Sequence, residues 1–364
     1  MKKVLIIIGK LYIGGAERVG RDIGYYADKT RYEIHYVVFG SEIGAYEEEL
    51  KLAGCIIHHT DPPSQSYYKY YRFLVKLIKS VKFDVIHSHT MFNSGWVMLA
   101  GWTCRVPTRI AHSHTIRGPE KRGFIKIFYE SAMRKLIIHT ANNLVACGNS
   151  AGEWLYGAKV FKKRGEVIYN GIELKEFVYN EKLRNKIRNQ YNLQEKFVIG
   201  HVGHLAPVKN QTFLLKLMPE ILKIRPEALL LLIGDGEDRK RLENLVSQLD
   251  LQEKVIMTGN IDNVGEYMNL MDVFVFPSLY EGMPLALVEA QTNGLPCLIS
   301  DHIPDDSYLT DLVKAIPLEE SKDQWISAIV SAKRINAMSY GVKMYQLGFD
   351  ISKMLKQIYC LYEK

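Results

Sequence analysis

Short apolar runs alternate with amphipathic stretches along the 364 residues of this chain. The runs are rich in Val, Ile and Leu and do not alternate strictly with polar residues, as is typical of parallel sheets covered on both faces. The predicted strands are Val4–Ile8, Ile34–Phe39, Cys55–His58, Val85–His87, Thr108–His112, Leu144–Ala146, Phe197–Val202, Ala228–Ile233, Val255–Thr258, Val273–Phe276 and Cys297–Ile299. The helical patterns between them predict βαβ units, and hence an α/β fold with right-handed crossovers.

The strands fall into two series separated by the turn signal Asn170-Gly171 and a polar stretch over residues 173–194. We therefore predict two Rossmann-like domains with parallel sheets covered by helices, residues 1–178 and residues 179–339. A last helical stretch, residues 340–364, has no strand after it. We expect this stretch to pack back on the first domain.

Composition excludes several classes of protein. Apolar residues make up 47% and charged residues 24% of the chain, which is ordinary for a globular protein. The apolar run Val4–Ile8 is too short for a signal peptide and no small-residue cleavage site follows it, and nowhere do about 18 apolar residues run together. The five cysteines form no Cys-x-x-Cys pair, which argues against a disulfide framework or structural zinc site and favours a cytoplasmic location.

Positive charge is concentrated in the first half of the chain. Residues 1–179 hold 26 Lys and Arg against 16 Asp and Glu, a net charge of +10, whereas residues 180–364 hold 21 against 24, a net charge of −3. Eight of the eleven histidines also lie in the first half. This asymmetry indicates that the first half faces something anionic, with a basic but merely solvated surface as the alternative.

Glycine-rich loops follow three of the predicted strands. They are Gly14-Gly15, Gly203 to Lys209, and Gly234-Asp235-Gly236. Glycine lets the backbone approach a ligand, and the free N–H groups of a following helix attract an anion. Lys209 adds a cation suited to a diphosphate. Each loop alone is equally consistent with an ordinary tight turn, and Lys209 with a solvated lysine at a helix start.

The most specific segment runs from Glu281 to Glu289 and reads Glu-Gly-Met-Pro-Leu-Ala-Leu-Val-Glu. Pro284 suits the first position of a helix, which places Glu289 in its second turn. A carboxylate on a largely apolar helix needs a partner to offset its desolvation, and two ribose hydroxyls would provide one. Glu281, just before the helix, is placed to hold sugar hydroxyls. The alternative is a buried Glu289 held by a structural arginine or backbone amides.

Together these segments resemble the retaining GT-B glycosyltransferases of family 4, and the resemblance extends over nearly the whole chain. The matching segments are Gly14-Gly15-Ala16-Glu17, the strand end Asp84–His89, Gly203-x5-Lys209, Gly234-Asp235-Gly236, Phe276-Pro277-Ser278, Glu281-x7-Glu289 and Gly294-Leu295-Pro296. The chain is most similar to transferases of bacterial exopolysaccharide and capsule assembly. The resemblance implies a GT-B fold, in which an acceptor-binding first domain faces a donor-binding second domain across a cleft.

The resemblance also implies roles for individual residues. Glu289 would hold the nucleotide ribose, Glu281 the donor-sugar hydroxyls, and Lys209 the donor phosphates. The family's histidine falls on His114, whose backbone or ring would polarise the reacting centre, and His112 is a close second choice. The implied catalytic set is His114, Lys209, Glu281 and His112. The implied donor-binding set is Gly15, Gly203, His204, Lys209, Gly234, Gly236, Glu281, Gly282, Met283, Pro284, Leu285 and Glu289. The implied acceptor-binding set is Gly14, Gly15 and His89.

His204 departs from the family pattern, which usually has arginine at this position. Arginine stays charged and grips phosphate with a rigid fork, whereas histidine has an unperturbed pKa of about 6.5. No Asp-x-Asp sequence occurs in the chain, so we expect no metal and no other cofactor. Lys209, His204 and helix N-termini would instead meet the charge of the leaving diphosphate.

The predicted function is that of a hexosyltransferase moving a sugar from a nucleotide sugar, expected to be a UDP-sugar, to a lipid-linked or other saccharide acceptor. The family implies retention at the anomeric carbon, with the leaving phosphate taking the acceptor's proton. A GT-B-like epimerase or phosphorylase, and a non-catalytic nucleotide-sugar-binding regulator, stay open as alternatives. A nicotinamide-dependent dehydrogenase is disfavoured because Gly-x-Gly-x-x-Gly is absent after the first strand, and no nucleic-acid partner is expected.

Residues 105–135 form a basic stretch interleaved with apolar side chains. Its eight cations are Arg105, Arg109, Arg117, Lys121, Arg122, Lys126, Arg134 and Lys135, against Glu120 and Glu130. Its apolar members are Phe124, Ile125, Ile127 and Phe128. We hypothesise that this stretch docks on anionic lipid, which would make the protein peripheral on the inner face of the plasma membrane. Part of the stretch must pack on the domain core instead.

Overall fold

A computed structural model describes residues 1–12, 14–114, 123–319, 322–335 and 339–364. The chain folds into two compact units. The first comprises Met1–Gly171 together with Ser352–Lys364, and the second comprises Ile172–Ile351. The chain therefore leaves the first unit, builds the second, and returns to the first for its last residues.

The first unit contains one parallel sheet with helices between its strands. Its strands are β1 Lys2–Ile7, β2 Tyr32–Phe39, β3 Ile56–Thr60, β4 Val85–Ser88, β5 Thr108–Ser113, β6 Asn143–Ala146 and β7 Gly165–Val167. Its helices up to residue 164 are α1 Gly15–Tyr25, α2 Glu47–Leu52, α3 Tyr67–Val81, α4 Ser94–Thr103, α5 Phe124–Thr140, α6 Asn149–Tyr156 and α7 Ala158–Arg164. The strand order is β3-β2-β1-β4-β5-β6-β7, so the winding reverses between β1 and β4.

The second unit repeats this topology. Its strands are β8 Phe197–Val202, β9 Ala228–Ile233, β10 Val255–Met257, β11 Val273–Phe276, β12 Cys297–Ser300 and β13 Val313–Ile316. Its helices are α8 Leu174–Phe177, α9 Glu181–Gln190, α10 Gln211–Ile224, α11 Arg239–Gln248, α12 Val264–Leu270, α13 Leu285–Thr292, α14 Lys322–Ser331 and α15 Ser339–Leu347. The order β10-β9-β8-β11-β12-β13 reverses between β8 and β11. Open α/β sheets bind ligands at such reversals, outside the carboxyl ends of the strands.

Continuous apolar strands form the centre of each sheet. All six residues of β9 are buried, as are Val4 to Ile7 of β1, because helices cover both faces of each sheet. In the second unit, Leu214 of α10 and Trp325 of α14 pack in the same core as β9. Burying each such leucine stabilises the fold by roughly 1.5–3 kcal/mol. The predicted fold class, two Rossmann-like domains with parallel sheets covered by helices, is confirmed.

The end of the chain differs from the single helix predicted over residues 340–364. The stretch is divided between α15, in the second unit, and a last helix α16, Ile351–Glu363, most of which lies in the first. Gly348 separates them with a φ of 101°, a conformation that ends a helix. In α16, the Tyr359 hydroxyl donates to the Ile23 carbonyl at 2.9 Å, and Lys2 Nζ donates to the Tyr362 carbonyl at 2.8 Å.

The boundary between the units also falls earlier than the predicted residue 178. The short helix α8 belongs to the second unit, where Leu174 and Phe177 are buried and Asn293 Nδ2 donates to the Phe177 carbonyl at 2.7 Å. These contacts place residues from 172 onward with the second sheet. Among the described helices, none is both long enough and apolar enough to cross a lipid bilayer.

Candidate active site

The loops after β8 and β9 pack backbone against backbone at the carboxyl edge of the second sheet. The Leu205 amide donates to the Asp235 carbonyl at 3.0 Å, and the Asp238 amide donates to the Leu205 carbonyl at 3.0 Å. A Cβ at Gly236 would collide with the backbone of Leu205, and one at Gly234, whose φ is 128°, with the Gly203 carbonyl. These two glycines are therefore required by contact between the loops, whereas the sequence suggested contact with a ligand.

Gly203 has a different environment. A Cβ there would meet nothing nearer than His201 Nε2 at 3.5 Å and the Lys209 side chain at 3.7 Å, which are ordinary contacts. Packing within the protein does not explain a glycine at this position. The position stays consistent with close approach of a ligand to the loop after β8.

Lys209 and Glu281 form an ion pair at the reversal of the second sheet. Lys209 Nζ donates to Glu281 Oε1 at 2.5 Å, and the two side chains are only 18% and 13% exposed. The loops that carry them are joined, because the Leu279 amide donates to the Val208 carbonyl at 2.8 Å. The structure thus brings together a shielded cation and a shielded carboxylate, the groups needed beside a diphosphate and a sugar hydroxyl.

Glu289 lies in the middle of the buried helix α13, as predicted, and is only 5% exposed. Pro284 is the residue before the helix rather than its first residue, and Gly282, Met283 and Leu285 are buried beside it. Gln291 anchors the helix, because its Oε1 accepts from the Thr310 amide at 3.0 Å and its Nε2 donates to the Ser307 carbonyl at 3.1 Å. The Glu289 carboxylate therefore sits on a fixed support.

His204 lies in the same loop but pairs with a different carboxylate. Its Nε2 is 2.8 Å from Glu237 Oε2, and both side chains are more than half exposed. The sequence analysis missed His201, which is fully buried in β8 with Nδ1 at 2.9 Å from the Val275 carbonyl. Burial lowers the pKa of His201 to about 4, so this imidazole is neutral at neutral pH.

In the first unit, Gly14 and Gly15 stand at the start of α1, directly after the loop that follows β1. Gly14 is extended and precedes the helix, and Gly15 is its exposed first residue. The nearest atoms that a Cβ at Gly14 would meet belong to the flexible side chain of Glu17. Burial raises the pKa of that carboxyl group. The approach of a ligand to the helix start stays a prediction.

Four buried histidines, His87, His89, His112 and His114, occupy the carboxyl ends of β4 and β5; we call them the histidine cluster. Their rings form two hydrogen-bonded rows. In one row His87 Nε2 is 3.1 Å from His112 Nδ1, and in the other His89 Nδ1 is 2.7 Å from His114 Nε2. The rows stack on each other, with ring centroids 4.3 Å apart for His87 and His89 and 4.1 Å apart for His112 and His114.

Each row ends on another buried polar group. Tyr362 of α16 places its hydroxyl 2.8 Å from His87 Nδ1, and Asn170 places Oδ1 3.2 Å from His114 Nδ1. The sequence analysis missed His87, Asn170 and Tyr362 as partners in this network. The repeated His-x-His pattern at the ends of two strands was the signal for His87, whereas nothing in the local sequence marks Tyr362.

Burial sets the protonation of the histidine cluster. It lowers the pKa of His87 to about 3 and of His114 to about 4, and holds those of His89 and His112 well below their usual range. The four rings are therefore neutral at neutral pH. Both ring nitrogens of His114 already have partners, so the backbone of His114 is better placed than its ring for the role predicted by resemblance.

The basic stretch over residues 105–135 divides into structural and exposed parts. Arg109 Nε donates to the Thr140 carbonyl at 2.7 Å and Arg134 Nε to the Leu155 carbonyl at 3.0 Å, so these two arginines stabilise the first unit. The first turn of α5 instead exposes Phe124 (92%), Ile125 (88%), Ile127 (49%) and Phe128 (78%). Arg117, Glu120, Lys121 and Arg122 lie outside the described residues.

Comparisons with known proteins identify the family of this chain. The family description Glycosyltransferase Family 4 matches residues 13–176, and Glycosyl transferases group 1 matches residues 184–332. EpsF of Bacillus subtilis (strain 168), named as a glycosyltransferase, is 32% identical over 96% of this chain and 93% of its own length. The UDP-Gal:alpha-D-GlcNAc-diphosphoundecaprenol alpha-1,3-galactosyltransferase of Escherichia coli is 28% identical over 79% of this chain and 77% of its own.

A solved structure shows the same fold. The Anabaena protein Alr3699/HepE, crystallised with UDP and glucose, superposes with a TM-score of 0.79 over 99% of this chain and 98% of its own, at 20% sequence identity. The two sheets with their matching reversals agree with the family matches. The chain belongs to the group 1 and family 4 glycosyltransferases, enzymes of the GT-B fold.

Proposed function

We propose that this glycosyltransferase transfers a hexose from a UDP-sugar to a lipid-linked saccharide, with retention of the anomeric configuration, in the assembly of a bacterial polysaccharide or capsule. The observation that carries the proposal is the shielded Lys209–Glu281 ion pair at the reversal of the second sheet, with Glu289 on the buried helix that follows Glu281. This arrangement offers a cation to the diphosphate and carboxylates to sugar and ribose hydroxyls.

In the proposed reaction, the charge that develops on the leaving diphosphate is met by Lys209, whose desolvated position strengthens the attraction. Glu281 accepts hydrogen bonds from donor-sugar hydroxyls and Glu289 from the ribose. The acceptor hydroxyl attacks the anomeric carbon on the face that the phosphate leaves, and its proton passes to that phosphate. The bond from the anomeric carbon to the phosphate oxygen breaks as the new glycosidic bond forms.

A UDP-sugar is the proposed donor because the Anabaena neighbour was crystallised with UDP and glucose and the E. coli relative is named for UDP-Gal. Thermal unfolding with UDP-, GDP- and ADP-sugars tests this proposal, since a ligand present at 100 times its Kd stabilises the native state by about 2.7 kcal/mol. We expect UDP-sugars to raise Tm in the wild type and much less in Glu289→Gln. A larger shift with GDP- or ADP-sugars would contradict the proposed donor.

A product test addresses retention. A UDP-α-hexose and a saccharide acceptor are incubated with the enzyme, and the new anomeric proton is assigned by NMR. We expect an α linkage. A β linkage would rule out the retaining reaction while leaving the donor assignment intact.

A lipid-linked acceptor is proposed from the E. coli relative, whose name specifies a diphosphoundecaprenol acceptor, and from the start of α5. Four large apolar side chains are exposed within five residues there, Phe124, Ile125, Ile127 and Phe128. Such a patch marks an interaction surface, and the surrounding basic sequence favours an anionic lipid surface over a protein partner. We propose that this turn enters the membrane interface and brings the first unit to its acceptor.

Co-sedimentation with vesicles tests this docking surface. We expect the wild type to bind vesicles containing phosphatidylglycerol more strongly than vesicles of phosphatidylcholine alone, and to lose binding as salt rises. Phe124→Ser with Phe128→Ser should reduce binding at least several-fold, because two exposed aromatic side chains are removed. The matched control is Leu52→Ser, which changes an equally exposed apolar residue of α2 and should bind normally. Equal binding to both kinds of vesicle would contradict the surface.

A further inference from the structure

The histidine cluster holds two ring nitrogens that no hydrogen bond uses. Nε2 of His89 and Nε2 of His112 are both buried and have no partner within the described residues. A buried polar atom without a partner costs about 1–3 kcal/mol, so these two nitrogens require an explanation. The other six ring nitrogens of the cluster all have hydrogen-bond partners in the two rows.

The hydrogen bonds determine whether each of these two nitrogens carries a lone pair or a proton. Asn170 Oδ1 can only accept, so His114 carries its proton on Nδ1 and receives one from His89 at Nε2. His89 therefore has its proton on Nδ1 and a lone pair on Nε2. In the other row, when the Tyr362 hydroxyl accepts from His87 Nδ1, His112 donates from Nδ1 to His87 and also has a lone pair on Nε2.

The geometry allows three of these rings to share one ligand. One ring nitrogen from each of His87, His89 and His112 lies within 4.8 Å of the other two. Tetrahedral zinc bonded to imidazole at about 2.0–2.1 Å needs nitrogens roughly 3.3 Å apart, so the rings must turn inward to close the site. His87 must also exchange one of its present hydrogen bonds for the metal.

The hydrogen-bond partners of the cluster also match those of a histidine-metal site. Metal-bound imidazoles usually bind through one nitrogen while the other donates to a fixed partner. Here Nδ1 of His89 donates to His114, which is held by Asn170, so that Nε2 of His89 is free to bind a metal. The four rings are neutral nitrogen donors, which suit Zn²⁺, Ni²⁺ and Cu²⁺ rather than Mg²⁺ or Ca²⁺.

We propose that His87, His89 and His112 form a binding site for a divalent transition-metal ion, with Nε2 of His89 and Nε2 of His112 as its first two ligands and an exchangeable fourth position. The site lies in the first unit, whereas the Lys209–Glu281 pair lies in the second. It holds two histidines that the family resemblance places near the substrates, so bound metal should slow transfer. That consequence rests on the proposed function, whereas metal binding itself does not.

Calorimetric titration of the full chain tests the site directly, using protein freed of its affinity tag and of metal. We expect about one equivalent of Zn²⁺ or Ni²⁺ to bind, and Mg²⁺ not to bind. His89→Gln with His112→Gln should weaken Zn²⁺ binding by at least about 100-fold, since loss of outer-shell partners alone costs 10–100-fold. Asn170→Ala, which releases His114, should weaken it about 10-fold or more.

His139→Gln is the matched control, because His139 is exposed in the same unit and its Nδ1 lies 2.6 Å from the Lys135 carbonyl of its own helix. It should bind Zn²⁺ like the wild type. If the double variant does not fold, Co²⁺ added to the wild type gives the answer, because tetrahedral nitrogen ligation produces intense visible absorption. A wild type that takes up no Zn²⁺, or whose uptake equals that of the folded double variant, would overturn the proposal.

Discussion

The two units share one topology, but the side chains at the reversal of the strand order are charged in the second unit and neutral in the first. In the second unit, the loops after β8 and β11 carry the charged pair Lys209–Glu281, and Glu289 lies on the buried helix that follows Glu281. In the first unit, the equivalent edge holds the histidine cluster, whose members are neutral. One arrangement of strands therefore supports a charged edge in one domain and an uncharged, nitrogen-rich edge in the other.

This difference also refines the inference drawn from net charge. The first half of the chain is the basic one, yet none of the hydrogen-bonding partners described for the histidine cluster is a lysine or arginine. Two of its arginines, Arg109 and Arg134, are bound to backbone carbonyls inside the unit. Total charge therefore locates neither site, because the position of each cation decides what it can bind.

The largest expected difference between the two units is in their response to acid, which should lower the free energy of unfolding of the first unit. Each cluster histidine has a lower pKa in the folded state than the 6.5 of an unfolded chain, so the unfolded state binds more protons as pH falls. The stabilisation is complete above about pH 6.5 and is lost as pH falls toward the folded pKa values of about 3 to 4. At pH 5 this amounts to about 2 kcal/mol for each of His87 and His114.

Urea unfolding at pH 7 and pH 5 measures this effect, with tryptophan fluorescence reporting mainly on the first unit through Trp96, Trp102 and Trp154. The free energy of unfolding should fall by several kcal/mol. His112→Gln, which has no imidazole to protonate, should show a smaller fall than the wild type. The exposed His139→Gln should match the wild type, and equal unfolding free energies at the two pH values would contradict the neutral cluster.

The largest catalytic effect is expected from Lys209→Ala in the second unit. Removing one group that stabilises developing negative charge typically costs about 10²–10³ in kcat. Donor affinity should fall less, since the diphosphate charge grows as the bond breaks. Steady-state kinetics separate the two effects, and Tm confirms that the variant is folded.

A second variant controls for the carboxylate that Lys209→Ala leaves without its partner. Glu281→Gln added to Lys209→Ala removes the repulsion between Glu281 and the donor phosphates. The double variant should regain donor affinity but not kcat. Recovery of kcat in the double variant would show that Lys209 acts only by neutralising Glu281.

Glu289→Gln should weaken nucleotide binding by about 10- to 100-fold, because a hydrogen bond to a charged group contributes roughly 1.5–3 kcal/mol. UDP titration by calorimetry provides the measurement. Glu237→Gln is the matched control, since this exposed carboxylate lies in a neighbouring loop and pairs with His204. Equal UDP affinity in Glu289→Gln and the wild type would remove Glu289 from the nucleotide site.

The central strands of the second sheet were predictable from sequence because each is marked by its own run of apolar residues. The strands Phe197–Val202, Ala228–Ile233 and Val273–Phe276 are as predicted, since a fully buried strand is a continuous apolar run. The edge strands Gly165–Val167 and Val313–Ile316 were missed because they are short and largely half-exposed, so no apolar run marks them.

The site residues also divide into those with a local sequence signal and those without one. The helix that carries Glu289 could be placed from the proline and the apolar spacing that surround it. The contacts of His87 with Tyr362, and of His114 with Asn170, join residues 275 and 56 positions apart, and no local pattern reveals them. The pairing of His204 with Glu237 was hidden in the same way, because two separate loops must first pack together.

His204 should produce a smaller effect, of a few-fold, in donor affinity. If its ring turns from Glu237 to the donor diphosphate, His204→Ala should bind the donor a few-fold more weakly than the wild type. His204→Arg should bind it as well or more tightly, because arginine stays charged and offers a rigid fork of donors to phosphate. Donor titrations under one set of conditions compare the three proteins. Equal donor affinity in wild type and His204→Ala would leave the His204 ring paired with Glu237 and outside the donor site.

The smallest effect is expected from a chelator of divalent metals, which should leave the rate of transfer unchanged within about twofold. No Asp-x-Asp sequence is present to bridge a metal to the diphosphate, and Lys209 and helix N-termini offer positive charge in its place. Initial rates with excess EDTA, with Mg²⁺ and with Mn²⁺ provide the measurement. A rate abolished by EDTA and restored by Mg²⁺ or Mn²⁺ would show that the second unit needs a metal to hold its donor. Inhibition by Zn²⁺ that EDTA reverses would instead locate the metal effect in the histidine cluster, because neutral imidazoles favour Zn²⁺ over Mg²⁺.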